Sequence, residues 1–280
     1  MNRPKIVVFF GGCSSEYSVS LESASSVINN LNREKYEPVP VGITESGKWY
    51  HFSGDVEKIK QDRWLNEEDC VPAALSPDRG ERKLLLFRGD RVETVTIDAA
   101  FPVMHGRNGE DGTIQGLIEM AGIPLVGCGV LSSALCMDKD RAHKLAEFAG
   151  IRVPRALAFG KPYDLHKVLD FADNTGYPLF VKPVKAGSSY GVTKVQDKET
   201  SDRLKETAKK LYKILGCSGF ARVDMFLKPN GEIVFNEINT IPGFTEHSRY
   251  PGMMKAAGHS FGEIIGRVVE LALDQREKNF

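Results

Sequence analysis

Residues 5–32, KIVVFFGGCSSEYSVSLESASSVINNLN, decide the fold. The apolar run IVVFF stops after five residues at Gly11 and Gly12, too short for a signal-peptide core and suited to a buried parallel strand. Val27, Ile28 and Leu31 then fall near helical spacing, so the unit reads strand, turn, helix. No GxGxxG follows the strand, which disfavours dinucleotide binding. YEPVPVGIT is a second strand and TIDAAFPVMHG a further buried strand ending in a loop, with irregular structure and short strands expected across the polar region 45–91. Strands alternating with helices predict an α/β layer whose loops gather at the strand carboxyl ends.

The chain has 280 residues, 41% of them hydrophobic, ample for one large domain or two to three smaller ones. Lys and Arg total 37 and so do Asp and Glu, so no net field draws the chain to nucleic acid or to a membrane surface. No apolar stretch approaches a membrane span. Cys13, Cys70, Cys128, Cys136 and Cys217 are scattered, form no CxxC, and read as reduced thiols of a cytoplasmic protein.

Further along, Ala142, Leu145, Ala146 and Ala149 predict an amphipathic helix within 134–150. GYPLFVKPVKAGSSYGVTKV reads as a hairpin with a long Gly/Ser tip. Leu204, Ala208, Leu211 and Leu215 share one helix face that closes at Gly216, and Phe261, Ile264, Ile265, Val268 and Ala272 mark a final helix. No internal repeat is present.

Between these helices, FARVDMFLKPNGEIVFNEINT predicts a hairpin turning at Lys228-Pro229-Asn230-Gly231. With a two-residue turn, Arg222 stands opposite Glu237, and Arg222, Asp224, Glu237 and Asn239 share a face. Val223, Met225, Leu227, Val234 and Ile238 form the other, core face. Two carboxylates and an amide oxygen without His or Cys suit Mg²⁺ bridging phosphates; the alternative is a solvated sheet face with an Arg222–Glu237 pair. In VKPVKAGSSYG, Lys182 precedes Gly187, Ser188 and Ser189, which could wrap phosphate oxygens, although the Walker pattern is absent and an ordinary hairpin tip reads equally well. Glu16, ahead of the first helix, is either a helix-dipole partner or a site for a substrate ammonium. MHGRNGEDG, with His105, Glu110 and Asp111, would alone pass as a turn, and Ser248 with Arg249 could grip an anion.

In this order, GGCSSEYSVSLESA, FPVMHGRNGEDGTIQG, GVLSSALCMDK, VKPVKAGSSYG, GFARVDMF and NEINTIPGFTEHSRYP resemble the blocks of the D-alanine–D-alanine ligase family nearly end to end. The resemblance implies an ATP-grasp fold, α/β and α+β, preceded by a Rossmann-like (pre-ATP-grasp) N-terminal domain. It implies an N-terminal substrate-binding domain over 1–130, a central ATP-grasp domain over 131–200, and a C-terminal domain over 201–280 that carries the metal and catalytic residues. By the same resemblance, ATP and two Mg²⁺ ions, with Mn²⁺ able to substitute, serve peptidoglycan precursor synthesis through a D-alanyl phosphate. Lys139 and Lys182 then contact ATP phosphates with Gly187, Ser188 and Ser189, and Asp224, Glu237 and Asn239 hold the metals. Glu16 binds the ammonium of the first D-alanine, Ser188 links to it with His105 close by, Arg222 and the Gly243 N–H stabilise the oxyanion, and Ser248 grips the second carboxylate. A homodimer through the N-terminal domain is implied as well.

Two departures concern the substrate. Many family members carry His after the glutamate and an apolar residue after the His-Ser pair, where this chain has Tyr17 and Arg249. SSEYSVS and HSRYP are similar to the D-alanine–D-serine ligases of the VanG and VanC type, associated with vancomycin resistance. This points to D-alanine and D-serine as substrates, with ordinary D-alanine–D-alanine ligation as the alternative. A third departure is length: between the glycine-rich hairpin and LGCSGFARVDMF the chain is short by on the order of seventy residues, a large part of one ATP-binding domain. The reading preferred from the sequence is that a disordered stretch intervenes near Thr200 and Ser201. An unbroken backbone there decides instead for a deletion, and with it for a chain unable to hold ATP normally.

Overall fold

The structure is a computed structural model that describes residues 3–160, 162, 164–176 and 198–278. These divide into two compact units, one of residues 1–134, 217–222 and 239–280, the other of 135–216 and 223–238. The three-part partition at 130 and 200 differs from this division, because 217–222 and 239–280 belong with the N-terminal residues.

The first unit is built on β1 (Lys5–Gly11), α1 (Tyr17–Asn30), β2 (Glu37–Ile43), β3 (Trp49–Phe52), α2 (Glu57–Lys60), β4 (Cys70–Leu75), β5 (Lys83–Arg88), β6 (Arg91–Thr96) and β7 (Ala99–Pro102). One sheet in the order β6-β5-β4-β3-β2-β1-β7 results, parallel across β2-β1-β7 and antiparallel beyond. Region 45–91, where irregular structure and short strands are expected from sequence, holds the short strands β3, β4 and β5, which with β6 form a meander. Its polarity follows from a sheet edge facing water, where side chains alternate and the apolar signal halves.

β1 reads as an uninterrupted apolar run because both of its faces are covered. Ile6, Val8 and Phe10 pack with Leu21, Ala24, Val27 and Ile28 of α1 and with Ile264, Ile265 and Val268 of α9 (Phe261–Lys278). Val7 and Phe9 pack on the opposite face with Val39, Val41 and the Ile114 and Ile118 side chains of α3 (Thr113–Met120). The last helix of the chain therefore closes the core of the first sheet.

The second unit contains α5 (Lys139–Phe148), α6 (Leu165–Thr175), α7 (Lys198–Ile214) and most of the hairpin β8 (Arg222–Leu227) and β9 (Ile233–Asn239). The helix expected within 134–150 is two helices, α4 (Val130–Met137) and α5, because the Asp138 side chain accepts the Arg141 N–H and starts a new N-terminus. α7 runs without interruption through Thr200 and Ser201.

Gly231, at φ +77°, donates its N–H to Lys228 O at 2.9 Å, while Lys228 N–H reaches Glu232 O at 2.9 Å. The loop is thus three residues long with a glycine bulge, and the pairing leaves the turn one place off the register expected from sequence. β9 also fails to alternate: Val234, Phe235, Glu237 and Ile238 are all buried. Phe235 N–H donates to Arg152 O at 2.8 Å and Asn236 O accepts from His143 Nε2 at 2.6 Å, so neighbouring chain covers the strand beyond its partner β8. The hairpin expected over 177–196 lies outside the described residues.

Candidate active site

In the first unit the residues of interest sit on loops at the carboxyl ends of the parallel strands. Gly11 and Gly12 take φ +81° and +104°, which lets β1 turn sharply into α1. Ser20 locks the turn: its Oγ accepts from Gly11 N–H at 2.8 Å and donates to Val103 O at 2.5 Å, tying the ends of β1 and β7 together.

Glu16 is the residue before α1 and makes no side-chain cap to it. Its carboxylate instead lies under Gly106, where an added methyl would fall 2.6 Å from Oε2 and 2.5 Å from Ser14 Oγ. Gly106 is at φ +71°, and its N–H is held by Glu110 Oε2 at 2.8 Å. Glu110, which the sequence presents as one of several turn residues, is therefore the buried clamp that brings this loop over Glu16.

His105 is 4% exposed, with Nδ1 3.0 Å from Ile241 O and Nε2 3.2 Å from Ser23 Oγ. A carbonyl can only accept, so Nδ1 carries the proton and Nε2 accepts the Ser23 hydroxyl. Burial pushes its pKa down to about 4, and the Arg222 charge adds to that, against the Ile241 bond. The ring is neutral near pH 7 and both nitrogens are engaged by protein, so His105 holds the loop before Gly243 in place.

Tyr17 places its hydroxyl between Trp64 and Asp62: it accepts from Trp64 Nε1 at 2.9 Å and donates to Asp62 Oδ1 at 3.2 Å. Burial raises its pKa to about 12; the Trp64 bond acts in the opposite sense, and Asp62 adds to the rise. Tyr17 thus stands as a neutral phenol fixed by the segment after α2.

The loop after β9 carries Gly243, then Ser248 and Arg249 at the head of α8 (Arg249–Ala256). A side chain at Gly243 would meet Ser248 Oγ at 3.0 Å. Ser248 turns its hydroxyl back to Thr245, accepting from the Thr245 N–H at 3.0 Å with Thr245 Oγ1 at 2.8 Å, and α8 has no side-chain cap. Among the described residues, the Arg249 guanidinium makes no hydrogen bond or ion pair. A cation at the first position of a helix sits at the wrong end of the dipole, which an anionic ligand would correct.

In the second unit Lys139, the first residue of α5, pairs with Glu237 Oε2 at 3.2 Å, with side chains 12% and 6% exposed. α5 is fastened to β9 beside this pair by the His143–Asn236 bond and by His143 packing edge-on to Phe235. A carboxylate this deeply buried requires a positive charge, and Asp224 on the same hairpin of this unit adds a second oxygen donor, the ligand type Mg²⁺ takes. No group of three or more His, Cys, Asp or Glu side chains forms a metal cluster among the described residues. Lys182, Gly187, Ser188 and Ser189 lie outside the described residues.

Sequence reasoning missed Ser20 and Ser23. The available signal was polar residues at Glu16, Ser20 and Ser23, spacings of four and three that put them on one face of the helix.

Residues 5–128 match the family described as D-ala D-ala ligase N-terminus, and 145–201 and 196–270 match D-ala D-ala ligase C-terminus in two pieces that meet where α7 begins. The chain is 38% identical to the vancomycin/teicoplanin A-type resistance protein VanA of Enterococcus faecium, over 98% of this chain and 99% of that protein. That alignment runs over 352 positions against a chain of 280 residues, so the relative carries a stretch that this chain lacks. A D-alanine–D-alanine ligase of Caldicellulosiruptor bescii is 34% identical over 99% and 97% of the two chains. Among solved structures, the VanG D-Ala:D-Ser ligase of Enterococcus faecalis superimposes with a TM-score of 0.87 at 40% identity, covering 97% of this chain and all of that one. The D-alanine–D-alanine ligase of Coxiella burnetii gives 0.87 at 26% identity, over 100% and 96%. The chain belongs to the D-alanine–D-alanine ligase family, whose ATP-grasp fold it shares.

Proposed function

We propose that this chain is of the D-alanine–D-serine ligase type, joining the two amino acids through a D-alanyl phosphate for peptidoglycan precursors of the vancomycin-resistant kind. The observation that carries the reading is the head of α8, where Ser248, helix N–H groups without a side-chain cap and an Arg249 unpaired among the described residues make a polar, anion-seeking site. Likeness to the VanG D-Ala:D-Ser ligase supports it.

A carboxylate is a poor electrophile, so D-alanine is first activated at the expense of ATP. Glu16, beneath Gly106, binds and orients the D-alanine ammonium. Lys139 and Lys182, with Gly187, Ser188 and Ser189, bind the ATP phosphates. Asp224, Glu237 and Asn239 would hold Mg²⁺, which when bound neutralises charge on the transferring phosphoryl group. The acceptor's carboxylate docks on Ser248 and the α8 N-terminus, and its neutral amine then attacks the acyl carbon of the D-alanyl phosphate; the C–N bond forms, the acyl C–O bond to phosphate breaks, and inorganic phosphate leaves with the amine's proton passing to solvent. Arg222 and the Gly243 N–H receive the developing oxyanion, a contribution of about 3 kcal/mol for one such donor. Tyr17 and Arg249 line the acceptor side, and Arg249 supplies donors to a serine hydroxyl that alanine leaves unpaired. The working form is a cytoplasmic homodimer, with residues 1–130 binding substrate, 131–200 binding ATP and 201–280 holding metal.

A second reading is favoured by the unbroken α7 and the split family match: a D-amino-acid binder that lost turnover with the missing part of its nucleotide domain. Purified chain given ATP, Mg²⁺ and equal D-alanine and D-serine near neutral pH distinguishes them. Phosphate release with D-Ala-D-Ser as the main product supports the ligase; mainly D-Ala-D-Ala rejects the serine assignment; D-alanine binding without phosphate release leaves the binder. Arg249→Met should shift the product ratio toward D-Ala-D-Ala by roughly tenfold or more.

A further inference from the structure

We propose that Ser23 is a positioning residue of the ligase site, setting the oxyanion-side loop against the helix that carries Glu16. Ser23 is fully buried in α1, seven residues and thus two turns beyond Glu16, on the same helix face. Its hydroxyl accepts from Phe244 N–H at 3.3 Å and lies 3.2 Å from His105 Nε2, whose Nδ1 is 3.0 Å from Ile241 O. With the buried ring neutral, the proton order follows. Ile241 O can only accept, so Nδ1–H donates; Nε2 is then bare, so the single Ser23 proton goes to it; the remaining Ser23 lone pair takes the Phe244 N–H.

The chain of hydrogen bonds from Phe244 through Ser23 and His105 to Ile241 therefore grips the loop on both sides of Gly243, whose N–H is the proposed oxyanion donor. Phe244 is itself 1% exposed and packs edge-on to Phe101 and Phe220, so the loop has one apolar anchor and one polar one. The apolar contacts hold it down without setting its rotation, because they are non-directional; the hydroxyl sets which way the Gly243 N–H points. The same hydroxyl belongs to the helix that begins beside Glu16, so ammonium site and oxyanion donor share one reference point.

This rests on the ligase reading, and the experiment separates the two. In full-length chain labelled with ¹⁵N-histidine, His105, assigned with His105→Gln, should show a protonated Nδ1 and a hydrogen-bonded, unprotonated Nε2 at neutral pH. Ser23→Ala should move the Nε2 resonance toward the value of an unbonded nitrogen and weaken binding of a tetrahedral phosphinate dipeptide mimic by about tenfold or more. D-Alanine affinity should stay within about twofold, since ground-state binding does not use the oxyanion donor. Ser23→Thr, which keeps a hydroxyl, should restore both readouts. A protonated Nε2 in the unmodified protein overturns the proposal, and this arm needs no variant to fold. Unchanged mimic affinity in Ser23→Ala overturns it as well. Unmodified chain that binds neither D-alanine nor the mimic rejects the ligase reading, while the His105 spectrum still tests the Ser23 bond.

Discussion

His105 ties a local charge state to global stability. Its folded pKa of about 4 lies below the ordinary histidine value of 6.5, so above pH 6.5 neither state binds the extra proton and stability is complete. Between pH 6.5 and 4 the unfolded chain takes up the proton and the folded chain does not, so stability falls with falling pH, by on the order of 3 kcal/mol across that window. Denaturant unfolding at steps from pH 7.5 to 4.5 should show this loss, and His105→Gln should remove the part that histidine contributes. Lys139 makes the complementary case. Lys139→Ala leaves Glu237 charged and 6% exposed without this partner, costing on the order of 3 kcal/mol in urea unfolding. Lys139→Met with Glu237→Gln should recover most of it, since both charges are then gone.

Among the elements, the β8–β9 hairpin shows how one glycine sets a register. Gly231 at φ +77° has open space around a would-be methyl, its nearest contact being Arg203 at 3.8 Å, so Gly231→Ala should cost only the backbone penalty, about 1 kcal/mol. Gly219 is the contrast. At φ +60° its methyl would fall 3.0 Å from the Cα and carbonyl of Gly127, a backbone that cannot rotate away, so Gly219→Ala should destabilise clearly more than Gly231→Ala in the same unfolding assay. α1 and α9 were legible from their apolar spacing because each lays one stripe on a sheet. The α4/α5 break was not, and of the short strands expected across 45–91 their joining into one meander through β3 to β6 was not, since a cap inside an apolar helical run and a half-solvated sheet both weaken the periodic signal.

Taken whole, the molecule matches the N-terminal family model in one piece over 5–128 and the C-terminal one in two pieces, 145–201 and 196–270. Inserting the VanG segment at the junction before α7 should raise ATP-dependent phosphate release above that of the natural chain, measured on both proteins side by side, while D-alanine binding stays the same. Residue types along the chain were enough for the α/β architecture, which depends on short spacings within single elements, and the ordered blocks from GGCSSEYSVSLESA to NEINTIPGFTEHSRYP were enough for the family. The missing length was visible there too. What required the folded chain was every relation between residues far apart in sequence: Ser23 with His105 and Phe244, Glu110 holding Gly106 over Glu16, Lys139 on Glu237, and the last helix closing the first sheet. Serine and glutamate in a polar loop look alike whether solvated or buried. Only packing withdraws the water and leaves each polar atom a single protein partner, and it is that withdrawal which turns an ordinary serine into a determinant of where the site's donors point.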